Sequence, residues 1–154
     1  MLYGVHRMTW GKYFDPTDIR TFFEQVRATG ADIVEFRPPD ETLLGDLPKT
    51  AEIRRMAEDL GIRLTFCYGY PVGVDMRLED RFARLYAEEH LKRAIEAAAR
   101  LGGSEIGGVL YANWPTNYDR DVITPTVKQE RRARCIDSLR HVMPVAEDCG
   151  VHVD

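Results

Sequence analysis

Four times along this chain a helical pattern closes on a glycine, and a run suited to a buried strand follows at once. The junctions lie around Gly30 (Ala28 to Phe36), Gly61 (Asp59 to Cys67), Gly102 (Arg100 to Tyr111) and Gly150 (Glu147 to Asp154). A glycine just past a helix takes the left-handed conformation that closes the last turn, and the β-branched residues after it favour a pleated strand. With an opening strand from Leu2 to His6, strands and helices alternate throughout. Parallel neighbours need a long return connection, which a helix supplies in right-handed βαβ units, so the chain reads as α/β with a parallel sheet. The fourth round stops at Asp154, barely into its strand, so the expected architecture is four βα units plus the start of strand five, half of something larger.

The 154 residues are 44% hydrophobic and 30% charged, enough for one core, and no apolar run nears the ~20 residues of a membrane span. No charged-then-apolar leader opens the chain, so export is not expected. Cys67, Cys135 and Cys149 lack metal-ligand spacing and point to reduced thiols in a cytoplasm. A net charge of −4 argues against a broad nucleic-acid surface, and the basic run Lys128 to Arg134 reads as a solvated helix face. No linker divides residues 1–154, which are expected to form a single domain.

Asp15 and Pro16 read as the N-cap and first residue of helix one, whose apolar stripe is Ile19, Phe22, Phe23 and Val26. Helix two is expected from near Thr50, with Ile53, Met56, Ala57 and Leu60 inward. Helix three runs from about Leu78 to Leu101 with Phe82, Leu85, Tyr86, Leu91, Ala94, Ile95 and Ala98 inward. Helix four, Thr126 to Asp148, turns Ile136, Leu139, Val142 and Met143 inward, and Pro144 is expected to kink or interrupt it.

In a parallel α/β sheet the chemistry collects beyond the C-terminal ends of the strands. Here those segments are His6 to Phe14, Glu35 to Pro39, Cys67 to Pro71 and Tyr111 to Tyr118. Aromatics and glycines at one rim suit a small, partly apolar ligand with hydroxyl groups, because rings pack on C–H faces while polar groups fix orientation. His90, His141 and His152 show no metal-ligand spacing. The glycine pairs at 102–103 and 107–108 lack the lysine and immediate helix of a phosphate loop.

The segments Tyr3-Gly-Val-His6-Arg-Met-Thr-Trp10, Leu64 to Gly69 and, above all, Ile106-Gly-Gly-Val-Leu-Tyr-Ala-Asn-Trp114-Pro115-Thr-Asn-Tyr118 resemble the D-tagatose/D-psicose 3-epimerase family of ketose epimerases. The likeness runs from residue 1 to 154 in order, over the first half of a family member. More broadly the chain is similar to the xylose isomerase-like (β/α)8 barrels, so the resemblance implies the first half of a TIM barrel. It also implies a metal-dependent inversion at C3 of a ketose, with manganese or cobalt expected in the full-length family. There, one glutamate removes the C3 proton to give an enediolate and a second returns one from the opposite face. A cation stabilises charge gathering on the enediolate oxygens, and a single base would return the proton to its own side. Matching Gly150 to Asp154 with the family's fifth strand places the first metal-binding glutamate just past Asp154. Neither catalytic glutamate nor any metal ligand is therefore expected in this chain, and Asp154 is not read as one.

What the resemblance assigns here is the substrate side. His6 stands where the family commonly has an aromatic residue; it is read as a hydrogen-bonding group for a sugar hydroxyl or, equally, as a partnered interior histidine. Phe14 and Trp114 match positions that wall the sugar pocket. Cys67 falls at a small-residue pocket position, although a buried cysteine is ordinarily a small hydrophobe. Glu35 either faces the barrel centre or serves as a structural carboxylate bonded to a neighbouring strand.

Two functions follow. The chain is the N-terminal half of a ketose 3-epimerase, inactive as this fragment, or a noncatalytic half-barrel that binds sugar or drives assembly. Another isomerase or a dehydratase of the same superfamily is the alternative within the enzyme class. Unpaired edges on strands one and five and an apolar interior face lead us to expect self-association or pairing with a C-terminal half. A ketose is the expected small-molecule partner, with neither nucleic acid nor membrane.

Overall fold

The computed structural model of the chain describes residues 1–15, 17–113 and 123–154. Five strands, β1 (Gly4–His6), β2 (Ile33–Phe36), β3 (Arg63–Tyr70), β4 (Glu105–Asn113) and β5 (His152–Val153), form one sheet in chain order, each parallel to the next. A 3-10 helix over Arg7–Tyr13 follows β1, and the helices are α1 (Ile19–Ala28), α2 (Asp40–Leu43), α3 (Leu47–Asp59), α4 (Arg81–Arg100) and α5 (Pro125–Cys149). A doubly wound sheet reverses its strand order at a switch point. This order never reverses, so the sheet winds one way, as half of a (β/α)8 barrel does. The junction glycines behave as the sequence requires: Gly30, Gly61, Gly102 and Gly150 have φ of 83, 65, 85 and 65°.

The core lies between the sheet and its helices. Along β3, Leu64, Phe66, Tyr68 and Tyr70 are buried, and Val34, Phe36 and Ile106 continue that layer on the neighbouring strands. Phe23, Phe36 and Phe66 stack in sequence across it, with ring centroids 5.7 and 5.3 Å apart, and Phe22 meets Phe23 at 5.9 Å. Each such ring contributes roughly 1.5–3 kcal/mol on burial, which makes this layer the main force holding helices to sheet.

The β3–β4 contact demands glycine at one place. Gly69 pairs with Val109, but Tyr70 pairs with Asn113, so β4 carries Leu110 to Ala112 as an insertion in the ladder. Just before it, Gly108 has φ 109°, and a Cβ there would lie 2.6 Å from the backbone oxygen of Tyr68. A bulge that bends a strand at a barrel rim commonly needs such a residue.

Several helix details differ from the sequence reading. The N-cap of α1 is Asp18, which accepts from the Thr21 N–H, while Asp15 closes a turn by accepting from Thr17; Pro16 lies outside the described residues. A competing Asx turn thus displaced the expected cap. The opening strand is shorter than Leu2 to His6, and α2 is a single turn that local periodicity could not announce. In α4 the inward stripe is Arg84, Ala87, Glu88, Leu91, Ala94, Ile95 and Ala98, whereas Phe82, Leu85 and Tyr86 are exposed. The extra apolar residues of the first turns misplace the stripe, because they lie on the other face of the same 3.6-residue period. Glu88, 1% exposed, turns inward because Arg81 bonds it at 2.5 Å, with His141 3.9 Å away. Along α5, Ile136 is exposed and Cys135, Ser138, Val142 and Ala146 are buried; the helix continues through Pro144 to Cys149. Among the described residues no helix is long and apolar enough to cross a membrane.

The bulge gives a paired test. Gly108→Ala is expected to lower unfolding free energy by about 1–3 kcal/mol in urea denaturation. Gly107→Ala, whose Cβ would approach nothing closer than 3.7 Å, should stay within about 0.5 kcal/mol. Equal costs at both positions would remove the bulge as the reason for glycine.

Candidate functional site

The sheet has a second face, turned away from the helices. Strand alternation sends Thr65 and Cys67 of β3 there, both half-buried, and the register sets His6 opposite Glu35 and Glu35 opposite Thr65. Gly107 lies opposite Cys67 on β4. This face is mostly polar and small, and less apolar than the sequence leads one to expect. Most of the large apolar side chains serve the helix side, and the open face carries His6, Glu35, Thr65, Cys67 and glycine beside the half-buried Ile33 and Val109.

His6, Glu35 and Cys67 form a cluster at the C-terminal ends of β1 and β2, where Cys67 lies mid-way along the longer β3. The Met8 backbone N–H donates to His6 Nδ1 at 3.0 Å. That bond leaves no proton on Nδ1, so the neutral ring carries its proton on Nε2. Nε2 lies 3.3 Å from Cys67 Sγ and 3.6 Å from Glu35 Oε2. The His6 and Glu35 side chains are 35% and 40% exposed, so the pair stays open to solvent and to a ligand. Burial pushes the Cys67 thiol up, and the Glu35 carboxylate adds to the shift, while Arg7 and Arg37 pull against it. Cys67 is therefore a neutral thiol at ordinary pH, suited to lining a site and unsuited to attacking a substrate.

Phe14 occupies a neighbouring place. Its ring meets Phe22 edge-on at 4.9 Å, and the Arg7 guanidinium lies 4.8 Å from its centroid. It lines a cleft of about 690 Å³ on the outer side of the β1–β2 rim, together with Arg7, Arg37, Pro38, Asp40 and Lys49. Of the four predicted site residues, the structure brings His6 and Cys67 into contact, while Phe14 is reached by Arg7, the residue after His6. Trp114 lies outside the described residues. Glu35 turns out to be a partner of His6 across the strands. Arg7 and Arg37 were missed as site-forming groups; their signal was position, since each directly follows a strand's last residue. Among the described residues no group of three His, Cys, Asp or Glu side chains is placed to hold a metal ion.

The sequence profile of the xylose isomerase-like TIM barrel family matches residues 23–153. A D-psicose 3-epimerase of Ruminiclostridium cellulolyticum is 27% identical over 151 residues, covering 98% of this chain and 50% of that protein. A ketose 3-epimerase of Arthrobacter globiformis is 32% identical over 112 residues, covering 73% of this chain and 37% of that one. The crystal structure of D-psicose 3-epimerase with D-tagatose from Clostridium cellulolyticum H10 superposes with a TM-score of 0.85 at 25% identity, covering 99% of this chain and 51% of that one. The chain spans about half the length of the curated relatives it matches.

The Cys67 environment predicts slow alkylation. At pH 8 Cys67 should react with iodoacetamide more slowly than a free thiol, as read by mass spectrometry of the labelled peptide. Glu35→Gln should speed it by roughly 1.5- to 5-fold, the effect of a charge pair worth 0.2–1 kcal/mol, with the larger cause, burial, left in place. Labelling of the unmodified protein at the free-thiol rate would contradict this picture.

Proposed function

Because the chain belongs to the xylose isomerase-like TIM barrel family, we propose that it supplies the substrate-binding half of a ketose 3-epimerase. The single observation that carries the reading is the His6, Glu35 and Cys67 cluster at the strand ends, in a chain whose relatives are named ketose 3-epimerases. In this reading His6 Nε2–H donates to a sugar hydroxyl and Glu35 accepts from another. Cys67, small and uncharged, leaves room for the substrate. Phe14 packs on a C–H face of the sugar, and Trp114 keeps the role the resemblance gives it, as a wall of the same pocket.

Inversion at C3 requires a proton to leave one face and return to the other, and the family resemblance gives that work to two glutamates beyond the matched fifth strand. The described residues do not gather a metal site, so the manganese or cobalt expected for the full family would be held outside them. This half binds and orients; proton exchange through an enediolate belongs to the completed barrel. The fragment alone is inactive.

The test is reconstitution. The chain is co-expressed with the C-terminal half of the Ruminiclostridium cellulolyticum enzyme, and conversion of D-fructose to D-psicose is followed by chromatography with manganese or cobalt present. Activity is expected only from the pair, and His6→Ala should raise KM by roughly 2- to 12-fold, the worth of one hydrogen bond. A co-purifying pair that converts no ketose with either metal would overturn the reading.

The same proposal extends to assembly. β1 and β5 each have only one strand neighbour among the described residues, and an unpaired edge is a template for another chain. Without a C-terminal half, the protein should self-associate in a concentration-dependent way in sedimentation velocity. A monodisperse monomer at all concentrations would count against half-barrel pairing.

A further inference from the structure

The cleft outside the β1–β2 rim is larger than contact with one side chain requires. At about 690 Å³ it falls within the range of small-molecule sites, and nothing in the ketose reading uses it beyond Phe14. Its floor is apolar, with Ile19 and Phe36 buried, and Pro38 and Pro39 add flat surface beside the Phe14 ring. Its polar groups carry both signs: Arg7, Arg37 and Lys49 against Asp40 and Glu41.

That mixture decides between ligand classes. Arg37 bonds Asp40 at 2.5 Å, and Lys49 bonds Glu52 at 3.1 Å, so two of the three cations already face carboxylates. An anion would compete with those pairs and lie near Asp40 and Glu41. A neutral polyhydroxylated ligand fits better, because each hydroxyl both donates and accepts and can join an arginine–carboxylate pair without displacing it. Flat apolar surface then takes the C–H faces of a ring. Arg7 links the cleft to the polar cluster. Arg7 follows His6 in sequence and stacks on Phe14, and both Arg7 and Arg37 lie close enough to Cys67 to act on its thiol.

We propose that this cleft is a second sugar subsite, and that the substrate class is a ketose carrying a further sugar unit, with the ketose against His6 and Cys67 and the second unit over the rim between Phe14 and the Arg37–Asp40 pair. The assignment of the ketose end rests on the proposed function; the cleft stands on its own geometry.

The experiment is an NMR titration of this chain, following ring and backbone signals of His6, Cys67 and Phe14 and the Arg37 side chain. The probes are D-psicose, the disaccharide lactulose (a galactosyl-fructose) and inorganic phosphate. D-psicose should move His6, Cys67 and Phe14; lactulose should move these and also Arg37, with a Kd about tenfold lower. Asp40→Ala and Lys49→Ala, both at exposed or half-buried positions, should abolish the tenfold gain and leave D-psicose affinity unchanged. Lactulose binding no tighter than D-psicose, or without a shift at Arg37, overturns the subsite. Phosphate shifts at Arg37 and Lys49 without lactulose shifts there overturn it in favour of an anion site. If lactulose moves the cleft while neither sugar moves His6 or Cys67, the cleft is upheld and the ketose reading fails.

Discussion

The pairing of β3 with β2 on one side and β4 on the other fixes the place of most other groups in this chain. Its alternation sends Leu64, Phe66, Tyr68 and Tyr70 to the helices and Thr65 and Cys67 to the open face. A slip of one residue would exchange these sets, burying polar groups and exposing aromatic ones. Two glycines let the neighbours come close enough to prevent that slip. A Cβ on Gly103 would lie 2.4 Å from the Phe66 ring, and one on Gly108 would meet the Tyr68 backbone. The core and the candidate site thus share one determinant of position.

What was legible in the sequence followed from strong local rules. The glycine junctions, strand alternation and parallel order needed only the left-handed conformation of glycine and the return path of a βαβ unit. Where two local rules competed, the sequence could not arbitrate. Asp15 and Asp18 are both good caps, and only the turn at Thr17 decides between them. Phe82 and Tyr86 look like core, yet Glu88 is buried in their stead because Arg81 reaches it from seven residues away. Such a pairing leaves no trace in apolar periodicity.

The candidate site was legible in part. His6 and Cys67 could be named from strand ends and resemblance, but their contact depends on a register that places residues 61 positions apart within 3.3 Å. The Nε2–H tautomer of His6 depends on the 3-10 turn that brings the Met8 N–H to Nδ1. The arginines gain their meaning from what they stack on: Arg7 on Phe14 and Arg37 on Tyr68, at 4.8 and 5.6 Å from the ring centroids. Stacking holds a guanidinium plane without consuming its donors.

The two faces of the sheet answer to different forces, and that separation bears on how such a chain changes over time. Truncating a buried phenylalanine on the helix side costs about 3–5 kcal/mol, a large share of a domain's stability. Half-exposed residues on the open face make few packing contacts, and replacing them ordinarily costs little. Drift at His6, Glu35, Thr65 or Cys67 can therefore explore new ligands while the aromatic layer preserves the fold, so related chains can diverge in what they bind long before they diverge in shape.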